Sequence, residues 1–472
     1  MAEEFKVDRI SFLPEDIKIS ILSRLEVKDA VRTSVLTRSW RHTWTLLPSL
    51  RLGRYLDPLG DTSKNFDSRP VSSTWIKRVR SLVSSLRGPL IHFQLSLRLD
   101  TDPSNLLRRL LDLLLKKGGV QTLDLCFYYS DKLTQPVPFF FNLPRNVPVP
   151  LRLHSYHSRK VKVWLPPFHS LKVLQLEGCQ LILPNEFQGF HSLTTLSLSN
   201  VIISNLHLHL LLDTSKNLTT FKFVAGDLDL VPDLSLNISL PLLTNVEFGI
   251  NEMVDKICLV STPRLEQAYI YLTSIDSGSE KLARATLGLL TSVSMVSSLH
   301  LDCDVLETLS LLALPFSFSF PQLKCLRFFL NVDTFDKRTC DVFHWLLRSM
   351  PFLEELHLKL LSFSQQTEGV ATLMRELLVK KQNGISCLDQ SLKRVTLSMY
   401  LLLKVMTGIT VVKFFLLNAK VLKLMKIIYS DVYSDDDDAL SMKEELKKVG
   451  VASSDAKVVM FNITTEVTVN VK

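Results

Sequence analysis

Along most of the chain, apolar positions recur in a short unit with the spacing L-x-x-L-x-L. The clearest copy, Ser170 to Leu181, reads SLKVLQLEGCQL, with Leu171, Leu174, Leu176, Cys179 and Leu181 at the apolar positions. The unit returns as Leu193/Leu196/Leu198, Leu218/Phe221/Phe223, Leu243/Val246/Phe248 and Leu265/Ala268/Ile270, at steps of 22 to 25 residues. More widely spaced copies follow at Val296/Leu299/Leu301, Leu323/Leu326/Phe328, Leu353/Leu356/Leu358 and Leu392/Val395/Leu397, and an earlier one stands at Val120/Leu123/Leu125. The alternation within each copy predicts a short strand whose apolar side chains share one face. One such strand cannot bury them alone, so successive copies are expected to stack as a parallel sheet over one continuous core. Leu106 to Lys117, Ile202 to Leu212 and Glu280 to Leu290 carry helical spacing and are expected to cover the buried side. Thr74 to Leu86 reads as a further helix and Leu90 to Leu99 as an alternating strand.

The same alternation sends the intervening residues to the opposite, open face. They are Gln175 and Glu177, Thr195 and Ser197, Thr220 and Lys222, Asn245 and Glu247, Gln267, Tyr269 and Tyr271, then His300, Arg327, His357 and Lys359. In a parallel stack these lie about 5 Å apart from strand to strand and form one surface of mixed chemistry. Tyr269 and Tyr271 offer large, stiff contact area of the kind enriched where proteins bind proteins. Gln175, Glu177, Lys222, Glu247, Gln267, Tyr269, Tyr271, His300, Arg327 and His357 are therefore the candidate protein-capturing residues.

Residues 8 to 50 have a different rhythm. Pro14 suits a helix start, and Glu15 and Asp16 complement its dipole. Ile17, Ile21, Leu22 and Leu25 form one apolar stripe. A second short helix carries Ala30, Val31, Ser34 and Val35. A third is expected from Thr37, with Trp40 and Trp44 one turn apart. Three short helices cannot bury this much apolar surface internally, so the segment is either the first packing unit of a larger domain or a helical module completed by a partner.

At the other end, residues 386 to 461 read as a further unit. Val395 and Leu397 lead into a strand. Val411 to Lys426, VVKFFLLNAKVLKLMK, begins as a helix with Phe414, Phe415 and Leu417 inward, while Val421, Leu422 and Met425 fit either its continuation or a strand. Ala452 to Val459 is expected to close the unit with a strand. Asp435 to Asp438 reads as a solvated acidic loop, Arg51 to Ser73 as a mobile loop, and the proline-rich Gln135 to Pro150 as a surface connection.

Composition narrows the function. With 472 residues, 46% hydrophobic and 22% charged, the chain is globular and long enough for several domains or an extended array. The formal charge of +8 is scattered, with only pairs such as Arg108-Arg109, Lys116-Lys117 and Lys380-Lys381, so no nucleic-acid track is indicated. Seven cysteines, none in a C-x-x-C pair, indicate neither a disulfide framework nor a zinc site and suggest a reducing compartment, cytoplasm or nucleus. No secretory signal is read at the N-terminus. The longest apolar run, Leu401 to Leu417, is broken by Lys404, Gly408 and Lys413, so no membrane span is expected. The pairs His154/His157 and His207/His209 lack a third ligand, and no phosphate loop, H-E-x-x-H or G-x-S-x-G occurs. No cofactor, metal site or catalytic residue is expected.

These motifs together resemble a known plant family. The stretch from Leu13-Pro14 through the Ile17/Ile21/Leu22 stripe, Leu25, Lys28-Asp29-Ala30-Val31-Arg32, Thr33-Ser34-Val35-Leu36 and Arg38-x-Trp40-Arg41-x-x-Trp44 resembles an F-box. Glu26 stands where these proteins usually carry proline, and Ser39 where a basic residue is common. The repeat matches the leucine-rich pattern, and residues 386 to 461 resemble an FBD domain. The expected α/β architecture is thus a small helical F-box (8–54), a leucine-rich-repeat solenoid with a parallel concave sheet (90–385), and a closing α+β FBD unit (386–461). An F-box resemblance implies docking to the Skp-family linker, and through it to a cullin, with Leu13, Pro14, Ile17, Ile21, Leu22, Leu25, Val31, Val35, Leu36 and Trp40 as contact residues. The implied role is a non-catalytic substrate-recognition adaptor of an SCF-type (Skp–cullin–F-box) ubiquitin ligase. A receptor of the same class gated by a small molecule, and a ligase-independent scaffold, are the alternatives.

Overall fold

The computed structural model describes residues 10–25, 27–52, 73–99, 109–110, 112–114, 120–129, 137–140, 151–156, 161–164, 171–183, 187–225, 234–273, 279–362, 384–401, 405–429, 443–462 and 468–470. The acidic run, His157 and nearly all of the Arg51 to Ser73 loop lie outside the described residues. The chain forms two compact units, Met1–Leu218 and Thr219–Lys472, a division that falls within the repeats.

The first unit opens with helix Glu15–Leu22, whose N-cap is Pro14, followed by helix Val27–Arg32 and a 3₁₀ turn, Thr33–Val35. The helix expected from Thr37 does not form. The chain runs through tight i→i−3 bonds instead, Trp40 N to Thr37 O at 3.1 Å and Thr45 N to His42 O at 2.9 Å, ending in the 3₁₀ segment Thr43–Leu46. The Thr43 hydroxyl donates to the Ser39 carbonyl and the Thr45 hydroxyl to the His42 carbonyl, the local competition that makes such residues poor helix formers.

Strand Ser49–Leu52 then pairs in parallel with His92–Leu99 after an intervening helix, Ser73–Ser85. Strands Thr122–Tyr129, Leu151–Tyr156, Val173–Glu177 and Thr195–Ser199 extend this sheet in order, all parallel. The proline-rich stretch is more than a connection: Val137–Phe140 pairs with Val161–Trp164, which pairs with Gln180–Ile182, in a second small sheet. The described part of Leu106 to Lys117 is helical and buries Leu110 and Leu114. Helix Asn205–Thr214 closes the unit.

In the second unit nine strands run parallel: Thr220–Val224, Asn245–Ile250, Gln267–Leu272, Ser298–Leu301, Cys325–Asn331, Glu355–Ser362, Arg394–Leu401, Leu424–Tyr429 and Lys457–Asn462. Thr468–Asn470 adds an antiparallel edge. The entry to seven of these strands, from Asn245–Ile250 through Leu424–Tyr429, uses one device. Two successive N–H groups donate to a single carbonyl of the preceding repeat, as Ser297 and Ser298 do to Glu266 O, and Glu354 and Glu355 to Lys324 O. The two apolar strand residues of each copy are buried, from Phe221 and Phe223 through Leu356 and Leu358 to Met425 and Ile427, while Leu265 ahead of its strand is half-buried. Helices Glu280–Ser292, Cys303–Leu309 and Lys337–Arg348 bury apolar side chains between successive strands. Each starts at a side-chain cap, Ser279, Asp302 or Asp336.

The segment resembling an FBD continues this sheet in register, with Arg394 beside Glu355 and Leu424 beside Arg394. Helix Val405–Asn418 ends before the ambiguous Val421 and Leu422, and a strand begins at Leu424. Within the helix Phe414 and Phe415 are buried as expected, but Leu417 is 49% exposed and Leu416 takes the inward position. Ile409, Val411, Val412 and Phe414 to Leu416 are all buried, so the helix is covered on more than one face, and Leu417 falls on the side left open.

Candidate functional site: an apolar helical face and an open sheet face

The N-terminal helices hold a complete but very small core: Leu22, Ala30, Trp40 and Leu47, with Leu13 and Trp44 packed against it. Trp40 is fixed by its indole N–H, which donates to Ile10 O at 3.2 Å. Lys18 is drawn in as well, its Nζ donating to Ser11 O and lying 5.8 Å from the Trp40 ring centroid. Leu22 is 0% and Trp40 2% exposed, so these two residues, expected to touch a linker, instead support the residues around them. Leu13 and Val31 are half-buried, and Pro14 is exposed. Ile17, Ile21, Leu25, Val35 and Leu36 are exposed, joined by Ile10 and by Phe12, which is 80% exposed. Among the described residues, seven of the fifteen exposed large hydrophobic side chains thus fall between residues 10 and 36. Sequence reasoning omitted Ile10 and Phe12 because they precede the helical stripe that served as the signal.

The open face of the second unit is built by register. Glu247, Tyr269, His300, Arg327 and His357 are successive cross-strand partners. Lys222 meets Glu247 at 2.7 Å. The Tyr269 and Tyr271 rings lie 5.0 Å apart, Tyr269 stacks on His300 at 4.1 Å, and His300 stacks on Phe329 at 5.3 Å. Lys359 completes the ladder over Phe329 at 4.6 Å. Gly249 makes room for it. A Cβ there would come within 2.8 Å of the Tyr271 ring and of Val224 Cγ1. Burial, then the Glu247 carboxylate that the hydroxyl contacts, pushes the Tyr271 phenol well above its ordinary range. Phe329 and Gly249 were not among the expected residues, although each holds the same position past the L-x-L pair as its cross-strand partner, Lys359 and Tyr271 respectively.

Gln267 and Arg327 are exposed and Lys222, Glu247, His300 and His357 half-buried, all on this face. Gln175 and Glu177 lie half-buried on the corresponding face of the first unit. Cys179 is buried and its thiol is pushed up to about 12 by burial, then by Glu177, so it packs and does not react.

One group of ligand-type atoms does converge among the described residues. Cys325, Glu355 and His357 bring a thiol, a carboxylate and an imidazole within 4.8 Å of one another. No local spacing announces them, because Cys325 lies thirty residues from its cross-strand partner Glu355. Their setting is cationic: Arg394 grips Glu355, and Arg327, after burial, holds His357 below its ordinary range. Such surroundings oppose a metal ion and favour an anion.

The F-box domain family matches residues 10–52, the leucine-rich repeats of FBD-associated F-box protein At5g56370 match residues 150–358, and the FBD family matches residues 380–427. F-box/LRR-repeat protein At3g49150 of Arabidopsis thaliana is 28% identical over 372 residues, 75% of this chain and 56% of that protein. F-box/LRR-repeat protein At4g14096 of the same plant is 32% identical over 176 residues, 36% of this chain and 34% of that protein. These two matches span about half and about a third of those relatives. F-box/FBD/LRR-repeat protein At3g26920, also from Arabidopsis thaliana, is 26% identical over 473 residues, 96% of each chain. The chain thus carries matches to the F-box, leucine-rich-repeat and FBD families in that order, and it is similar along nearly its whole length to a plant F-box/FBD/LRR-repeat protein.

Proposed function

We propose that this protein is a substrate-recognition adaptor of an SCF-type ubiquitin ligase. The N-terminal helices dock to the Skp-family linker and through it to a cullin, and the open sheet face holds the protein to be ubiquitinated. The carrying observation is that seven exposed large apolar side chains among the described residues fall within the short stretch 10–36, on helices that have a small core of their own. Clusters of that kind mark protein-interaction sites. An adaptor needs no catalytic group. It raises the effective concentration of substrate lysines beside an activated ubiquitin. Buried thiols such as Cys179 and Cys387, free of disulfides, fit action in cytoplasm or nucleus.

The test is co-purification of the linker with an Ile17→Ser/Ile21→Ser variant. Both side chains are exposed, so folding should persist while linker capture is lost; undiminished capture would defeat the docking claim. For the sheet face, Tyr269→Ala/Tyr271→Ala should change the proteins captured under proteasome inhibition and leave the linker bound. An identical set of captured proteins would move recognition away from these rings.

A further inference from the structure

We propose that the open face between strands Cys325–Asn331 and Lys457–Asn462 is a docking site for an acidic segment of a partner protein, a run of Asp and Glu residues lying across the strands. The inference rests on the reading that this face captures a protein, and it names the chemistry of what is captured.

Each of these five successive strands places one cation on the open face: Arg327, Lys359, Arg394, Lys426 and Lys457. The same positions carry one anion, Glu355, and Arg394 engages it. Arg327 and Lys457 are exposed, and neither they nor Lys426 form an ion pair among the described residues. The Lys426 ammonium stands 5.1 Å from the Phe461 ring centroid, and Lys359 stands likewise over Phe329, so both are steadied by ring faces. The positive field is felt locally. His300 and His357 are both held below their ordinary range, first by burial, then His300 by Lys359 and Arg327, and His357 by Arg327. The earlier strands differ, since Lys222 is there answered by Glu247.

Four strand spacings of about 4.8 Å carry the cations over about 19 Å across the strands, the reach of about six residues of extended chain. Along the strands they are staggered, Arg394 and Lys457 at one register, Arg327 and Lys426 at the next and Lys359 at a third. The cations are distributed, one per strand, and do not converge. A single phosphate is bound best by several donors aimed at one point, whereas a spaced row matches a run of carboxylates.

The experiment uses the full chain and a fluorescein-labelled peptide bearing about six consecutive glutamates, the length that matches the row. Fluorescence anisotropy should show binding that weakens as salt rises. Arg327→Ala/Lys426→Ala/Lys457→Ala should reduce it roughly tenfold, because each exposed pair contributes little alone. Arg284→Ala, an exposed cation on helix Glu280–Ser292 that pairs with Glu280, should change it by less than about twofold. The proposal is overturned by equal binding to the triple variant, or by equal binding of the glutamine version of the peptide. Tighter binding of a singly phosphorylated glutamine peptide, or of a thymidine strand of the same length, overturns it too. Linker co-purification is scored in parallel: a chain that holds the linker but not the glutamate peptide refutes this inference alone, and a chain that fails to hold the linker refutes the adaptor reading.

Discussion

The N-terminal helices and the open sheet face of the second unit present opposite chemistries, and the contrast follows from how each is supported. The helical module spans a few tens of residues and its core rests on four fully buried side chains, Leu22, Ala30, Trp40 and Leu47. Leu13, Ile19, Val27 and Val31 are half-buried, and the other aliphatic residues, Ile10, Ile17, Ile21, Leu25, Val35 and Leu36, are left on the surface. The sheet adds core with each repeat, so every leucine of the pattern finds a neighbour, and the open face is left to polar, charged and aromatic residues. A small module exposes what it cannot bury and becomes adhesive by default. An extended array buries its apolar side chains and is free to vary the opposite face.

The contrast is broken most forcefully at the small core. Trp40→Ala should cost about 3–5 kcal/mol within the module, because so few side chains share the load. Limited proteolysis should then cut the N-terminal segment, and linker capture should vanish with folding; a protease-resistant variant would show that the core is larger than these residues. Next comes the exposed stripe. Ile17→Ser/Ile21→Ser should change thermal stability by no more than about 0.5 kcal/mol. It should weaken linker binding roughly a hundredfold if the two sit in an interface hot spot. A large drop in melting temperature would instead assign these residues to the core.

On the sheet, Gly249→Val should cost about 1–3 kcal/mol, since its side chain would collide with the Tyr271 ring and with Val224. A denaturant midpoint unchanged from the parent would mean that the ring moves freely aside. Asp336→Ala removes the acceptor of the 2.8 Å bond from Thr339 N and with it a reciprocal capping box, a loss of about 1 kcal/mol. Calorimetry should record a correspondingly small fall in melting temperature, and no fall would show that Thr339 alone suffices.

The smallest effect is that of pH. His300 and His357 are both depressed in the folded state, mainly by burial. A depressed group contributes stability that is present above its unfolded value of 6.5 and is lost as pH falls through the folded value. Melting temperature should therefore decline as pH drops below 6.5, and less so in His300→Gln/His357→Gln. An equal decline in that variant would assign the effect to other groups.

The sequence by itself determined the repeat, its alternation and the identity of nearly every strand, because burying two apolar side chains per copy leaves a parallel stack as the available solution. It also determined the F-box stripe from Leu13 to Leu36. Which members of that stripe are support and which are surface was decided only by tertiary structure. Leu22 and Ile21 are adjacent and equally apolar, yet one is fully buried and the other is exposed, because Trp40 packs from a distant turn against one side only. The same holds on the sheet. Alternation placed Tyr269, His300 and Arg327 on one face, but their stacking with Phe329, the grip of Arg394 on Glu355 and the row of five cations depend on register between strands about thirty residues apart. Periodicity specifies a face; only the lateral pairing of strands specifies neighbours, and the chemistry of this surface belongs to neighbours.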